Sequence, residues 1–205
     1  VITDRVLTKP DDETFRGWAA GPLLPTVGRV SFSVRIEESH RNDSCGIWVG
    51  VCNEAGNCGW GLELSNGMLF RHSRTADGQR INAPPPEGWP DGHYTQVMVD
   101  EAGRPAHLHG RANGAVIEVV VDHSDGSLAF GVNGAPPRRV PEGWPHGYNH
   151  NDHLEYDSDD EEGHVIPGHV PPAKVPFKFP QGAQLRPWVD VYNVTDCLGF
   201  TRPYL

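Results

Sequence analysis

No stretch of this 205-residue chain repeats with the period of an α-helix. No window of about eleven residues or more sets apolar side chains three and four positions apart, which excludes helical bundles and coiled coils. No apolar run is long enough for a helix to cross a bilayer, so no membrane partner is expected. Positive charge is also scarce: 17 Lys and Arg stand against 27 Asp and Glu, a formal net charge of -10. A phosphate backbone needs a concentrated cationic footprint, so nucleic acid is not an expected partner either.

Cysteine is limited to Cys45, Cys52, Cys58 and Cys197, too few and too unevenly spaced for a disulfide scaffold. Without a C-x-x-C pair, a zinc knuckle has no ligand frame. Cys52 and Cys58 could meet across the Asn53 to Asn57 turn in an oxidising compartment; the plainer reading is buried free thiols acting as small hydrophobes. Catalytic signatures are missing as well. There is no G-x-S-x-G elbow, P-loop, dinucleotide-binding glycine fingerprint or H-E-x-x-H helix.

What the chain does contain is extended structure and turns. Val116 to Gly134 reads as a complete hairpin: Ile117, Val119 and Val121 share one face, and Leu128, Phe130 and Val132 share the matching face of the return strand. His123-Ser124-Asp125-Gly126 supplies the turn, and Asn133-Gly134 the exit, where positive φ costs little. Ser31 to Glu37 alternates strictly, with Phe32, Val34 and Ile36 on one side. Gly46 to Val51 does the same, and Gly59 to Arg71 forms a second hairpin around Asn66-Gly67. Thr95 to Asp100 and Pro187 to Val194 are further strands by the same pattern. With 24 glycines and 19 prolines between short strands, an all-β antiparallel sandwich is the expected architecture.

In order, G-R-V-S-F-S-V-R-I at Gly28 to Ile36, G-I-W-V-G-V at Gly46 to Val51, G-W-G-L-E-L-S-N-G at Gly59 to Gly67, the Val116 to Gly134 hairpin and L-R-P-W-V-D-V at Leu185 to Val191 resemble the SPRY (B30.2-like) family. The hairpin carries a D…G-x-L-x-F-x-x-N-G pattern, the most specific of these segments. The resemblance implies a two-sheet sandwich of the concanavalin-like jelly-roll type, with residues 1–205 forming a single domain. It departs from the family at residues 82–114 and 145–180, which lengthen usually shorter connections. It also implies a non-catalytic protein–protein interaction module, needing no cofactor and no metal, whose loops at one end of the sandwich grip a peptide or protein partner. By loop position and residue type, the expected contacts are Arg71, His72 and Arg74 beyond the second hairpin, with Trp89, Arg138, Arg139, Trp144 and Tyr148.

Three features stand outside that reading. Asp157 to Glu162 gathers Asp157, Asp159, Asp160, Glu161 and Glu162, most simply a solvated, self-repelling loop. Read as an EF-hand it fails, because Glu162 falls where the tight-turn glycine belongs and Gly168 where the bidentate glutamate belongs. Of eleven histidines, five lie between His146 and His169. His146, His150 and His153 would share a helix face and could gather a metal, but Gly147, Asn149 and Asn151 are poor helix formers. The third is a repeat: Pro86 to Gly92 and Pro141 to Gly147 share P-E-G-W-P-x-G. Each Trp either plugs an end of the core or stands as an interface anchor on a proline-stiffened loop.

Two rival functions follow from the same fold class. A lectin-like carbohydrate-binding domain would show a groove with stacked aromatics, with calcium at Asp157 to Glu162. A glycoside hydrolase would need two converging carboxylates; the run Glu155 to Glu161 approaches its E-x-D-x-x-E spacing but puts Glu161 one residue late. The proline-rich loop Pro167 to Pro180 could bind a neighbouring subunit as an extended strand if the domain is part of a larger assembly. The sequons at Asn42 and Asn193 carry little weight, since the second falls on an expected core strand. Val1 is neither an initiator Met nor the start of a leader, which leaves processing, an expressed fragment or an excised domain open. A cytoplasmic location is expected.

Overall fold

A computed structural model describes residues 2–3, 6–8, 17–39, 46–75, 80–81, 83–90, 95–104, 106–108, 110–143, 154–155, 164–165, 173–191 and 197–202. Among these residues all regular structure is extended, and every strand pairing is antiparallel.

In chain order the strands are β1 (Ile2–Thr3), β2 (Val6–Thr8), β3 (Gly17–Ala20), β4 (Arg29–Glu38), β5 (Ile47–Asn53), β6 (Cys58–Glu63), β7 (Met68–Arg74), β8 (Arg80–Ile81) and β9 (Thr95–Gln96). There follow β10 (Val116–Asp122), β11 (Ser127–Val132), β12 (Arg138–Arg139), β13 (Leu154–Glu155), β14 (His164–Val165), β15 (Leu185–Val191) and β16 (Cys197–Arg202). The first sheet runs β1-β2-β16-β4-β10-β11-β12; the second runs β3-β15-β5-β6-β7-β8, with β9 added to β7. β13 and β14 form a separate pair.

The register follows from the alternation. β10 pairs with β11 as Ile117↔Val132, Val119↔Phe130 and Val121↔Leu128, so the two apolar faces of the hairpin coincide. β4 lies along the other edge of β10, placing Val30, Phe32 and Val34 beside the same row. Those side chains close onto Val49, Val51, Trp60, Leu62, Leu69, Leu185, Val189 and Val191 of the second sheet, and this is the core. Removing such side chains from water is the main favourable term, about 1.5–3 kcal/mol for each. At the exit of β11, Asn133 and Gly134 take φ of 53° and 83°, the pair of positive values a tight type I′ turn demands.

The second sheet is also covered on its outer face. Trp48, Cys52 and Trp188 form a separate buried cluster there, with Phe70 packed against it. The Trp188 indole lies over β6, where a Cβ on Gly61 would stand 2.3 Å from it and one on Gly59 2.9 Å. Glycine at both positions makes room for the ring.

The expected strand from Thr95 to Asp100 is shorter in the structure. After Gln96 the chain leaves the ladder because Val97 and Met98 both donate their amide N–H to the Gly67 carbonyl, each at 3.0 Å. Cys52 lies on the outer face and Cys58 in the core, so neighbouring strand ends hold the two thiols on opposite sides of the sheet. Both are buried, and burial pushes the Cys52 thiol up to about 12.

Candidate functional site

Strand directions bring one set of connections to a common rim of the sandwich. β3 ends, and β4 begins, at loop 21–28; β5 turns into β6 at 53–58; β10 turns into β11 at 123–126; β15 begins after 173–184. Cross-links tie these loops together. His123 donates its N–H to the Gly28 carbonyl at 2.9 Å, Phe179 to Gly126 at 2.8 Å, and Leu24 to Leu185 at 2.8 Å. Arg186 donates to the Gly21 and Glu54 carbonyls at 3.0 and 2.9 Å.

The β10–β11 turn is shaped by its own side chains. Asp122 accepts from the Ser124 N–H and hydroxyl, and Asp125 accepts from the Ser127 N–H. The Ser124 hydroxyl and N–H hold the Asp122 carboxyl below its usual range, and the Arg29 and Arg139 charges add to the effect. Burial holds His123 below its ordinary value, against opposing contributions from Asp122 and a bond to the Pro25 backbone. Arg139 donates to Asp125 from the edge strand.

The residues nominated from sequence separate into distinct groups. Trp89, in the first P-E-G-W-P copy, is half-buried and stacks on Trp60 with centroids 5.3 Å apart and planes 13° from parallel. Trp60 donates its indole N–H to the Pro90 carbonyl at 2.9 Å, while Phe179 meets both indoles edge-on. This Trp therefore closes the core and leaves part of its surface at the rim. Arg138 and Arg139 are exposed on β12, opposite Phe130 and Ala129 of β11, and Arg139 reaches Asp125 at the same rim.

Arg71, His72 and Arg74 belong to β7 rather than to a loop beyond it, because the strand continues through Ser73↔Cys58 and Arg74↔Arg80 pairing. Arg71 is buried, donating to the Ser73 hydroxyl and the Ala83 carbonyl, which ties loop 83–90 to the sheet. His72 and Arg74 point to the outer face. His72 Nδ1 lies 3.3 Å from the buried Asp190 carboxylate, and Arg74 Nη2 donates to the same group at 3.2 and 3.3 Å. Trp48, Trp188 and Phe70 enclose the imidazole. Arg71 and His72 thus do their work inside the molecule, out of a partner's reach.

Trp144 and Tyr148 lie outside the described residues, as do the Asp157 to Glu162 run, His146, His150, His153, and Asn42 and Asn193 of the sequons. The second repeat is described only to Gly143, which exchanges two backbone bonds of 3.0 and 2.8 Å with Val175. Among the described residues no cluster of His, Cys, Asp and Glu is arranged to hold a metal ion.

Sequence reasoning missed four groups at this rim. Val27 is 78% exposed and Leu23 41%, in the loop that bonds to His123 and Leu185. Arg29 opposes Asp122 across the β4–β10 pair, and Lys178 lies beside Gly126. The available signal was an isolated apolar residue before a glycine, Val27-Gly28, in front of a strand.

No protein-family model and no curated protein matches the sequence. Among solved structures, the SPRY domain of human HERC1 is similar over 98% of this chain and 90% of its own, at 14% identity and a TM-score of 0.51. A tetrameric galectin from the ball sponge Cinachyrella sp. aligns over 93% and 97% at 11% identity and a TM-score of 0.34, too distant to inform. The HERC1 likeness speaks for architecture: the chain has the SPRY-like fold, a two-sheet antiparallel β-sandwich.

Proposed function

We propose that residues 1–205 act as one non-catalytic binding domain that takes a peptide or protein partner at the rim formed by loops 21–28, 53–58, 83–90, 123–126 and 173–184. The observation that carries this reading is the contrast between that rim and the second sheet's outer face. The face buries Trp48, Trp188 and His72. The rim exposes Val27 and Leu23 on a loop cross-bonded to rigid strands, beside the exposed Arg138 and Arg139 of β12. Fixed loops lose little conformational entropy on association, which favours a preformed recognition surface. A cytoplasmic setting belongs to the same reading and suits Cys52 and Cys58, which are buried on opposite sides of one sheet.

Panning a random-peptide display library against the immobilised chain tests the proposal. Enriched peptides are expected to lose at least about tenfold in affinity with Leu23→Asp/Val27→Asp, and to keep it with Arg104→Ala at the opposite rim. Absence of any enriched peptide, or enrichment indifferent to the rim variant, contradicts it.

A further inference from the structure

We infer that the partner segment taken by this rim is an acidic peptide with an apolar residue among its carboxylates; the inference rests on the rim-binding reading above. The chain as a whole carries a formal charge of -10, yet the balance inverts around the β10–β11 turn. Arg29 faces Asp122 in the β4–β10 register, and Arg139 is bonded to Asp125. Arg138 precedes it on the edge strand, and the Lys178 side chain lies 3.0 Å from where a Gly126 Cβ would stand. Three exposed cations, Arg29, Arg139 and Lys178, therefore lie at the turn with its two carboxylates, and Arg138, opposite Phe130, adds a fourth on the adjoining edge strand. Among the described residues, Arg29, Arg138 and Lys178 form no ion pair.

The two turn carboxylates have other work. Asp122 is engaged by Ser124, and Asp125 caps the Ser127 N–H while holding Arg139. Asp125 orients Arg139, and two carboxylates cannot neutralise four cations. An arginine guanidinium can take a carboxylate through two parallel bonds, and Asp125 already holds that of Arg139 in place. Val27 supplies the apolar contact: it is 78% exposed, one residue before the Gly28 carbonyl that accepts from His123.

The proline placement argues against strand addition as the mode of capture. Pro136 and Pro137 precede β12 and Pro141 follows it, so this edge offers a partner only a two-residue strand bounded by prolines. Recognition here is by side chains: charge first, and an apolar anchor second.

The probes are short fluorescein-labelled peptides: glutamates flanking a Leu-Val pair, a glutamine counterpart of equal length, and a lysine counterpart. Fluorescence polarisation with the full chain is expected to show the glutamate peptide bound at least about tenfold tighter than the glutamine one, the gap narrowing as salt is raised. Arg138→Glu/Arg139→Glu should weaken the glutamate peptide about tenfold or more and favour the lysine peptide. Arg138→Glu alone, which leaves the Arg139 to Asp125 pair intact, should give a smaller loss in the same direction.

Equal binding of the glutamate and glutamine peptides, or indifference of the glutamate peptide to the arginine variants, overturns the inference. If the glutamate peptide fails while library-selected peptides still depend on Leu23 and Val27, only the acidic class falls. If selected peptides fail too, the rim reading falls with it.

Discussion

His123 shows how one side chain reports the packing of the rim. Burial disfavours its charged form, and although the Asp122 carboxylate and the Pro25 backbone favour that form, burial dominates. The unfolded chain then takes up this proton near the ordinary value of 6.5, before the folded chain does. His123 therefore adds full stability above 6.5, and its contribution is lost as pH falls below that value. An NMR titration of the His123 ring should give a midpoint below 6.5, and His123→Gln should flatten the dependence of melting temperature on pH in that window. A midpoint at or above 6.5 would mean that loop 21–28 does not close over the ring. Residue type alone was a poor guide to such roles. Arg71 and His72 looked like contacts because they are polar and follow a hairpin, whereas the structure spends them on the Ala83 carbonyl and the Asp190 carboxylate.

At the scale of elements, β6 and β15 fit one another through what β6 lacks. A methyl group on Gly61 would be driven into the Trp188 ring, and the β6 backbone, paired with β5 on one side and β7 on the other, cannot easily move away. Gly61→Ala should therefore destabilise by about 1–3 kcal/mol in denaturant unfolding. With Trp188→Leu already in place the same change should cost much less, a coupling that a double-mutant cycle measures. A neutral Gly61→Ala would contradict the packing. The long strands were legible because each carries its apolar residues at alternate positions: Phe32, Val34 and Ile36 in β4, or Ile117, Val119 and Val121 in β10. β3, with Gly17 and two alanines, has no such row; it pairs with β15 and sets Ala19 against the core. The burial of Trp48 and Trp188 was hidden for a related reason. Alternation says that a side chain leaves the core face, and it does not say whether the other face meets water.

For the whole molecule, the division of labour lies between sheets that are packed and a rim that is exposed. Trp89, Arg138 and Arg139 were legible in the sequence as candidate contacts, but their neighbours were not. Arg29, Val27, His123 and Lys178 are far apart in the chain and meet only through the β4–β10 register and the His123 to Gly28 and Phe179 to Gly126 bonds. The decisive experiment maps backbone amide shifts as a library-selected peptide is titrated into the isotope-labelled chain. The rim reading predicts that the perturbed amides cluster in 21–28, 53–58, 83–90, 122–127, 138–140 and 175–184. Perturbations centred instead on Glu63 to Gly67, Asp100 to Gly103 and Gly110 to Gly114, at the opposite end, or on the outer face of either sheet, would contradict it.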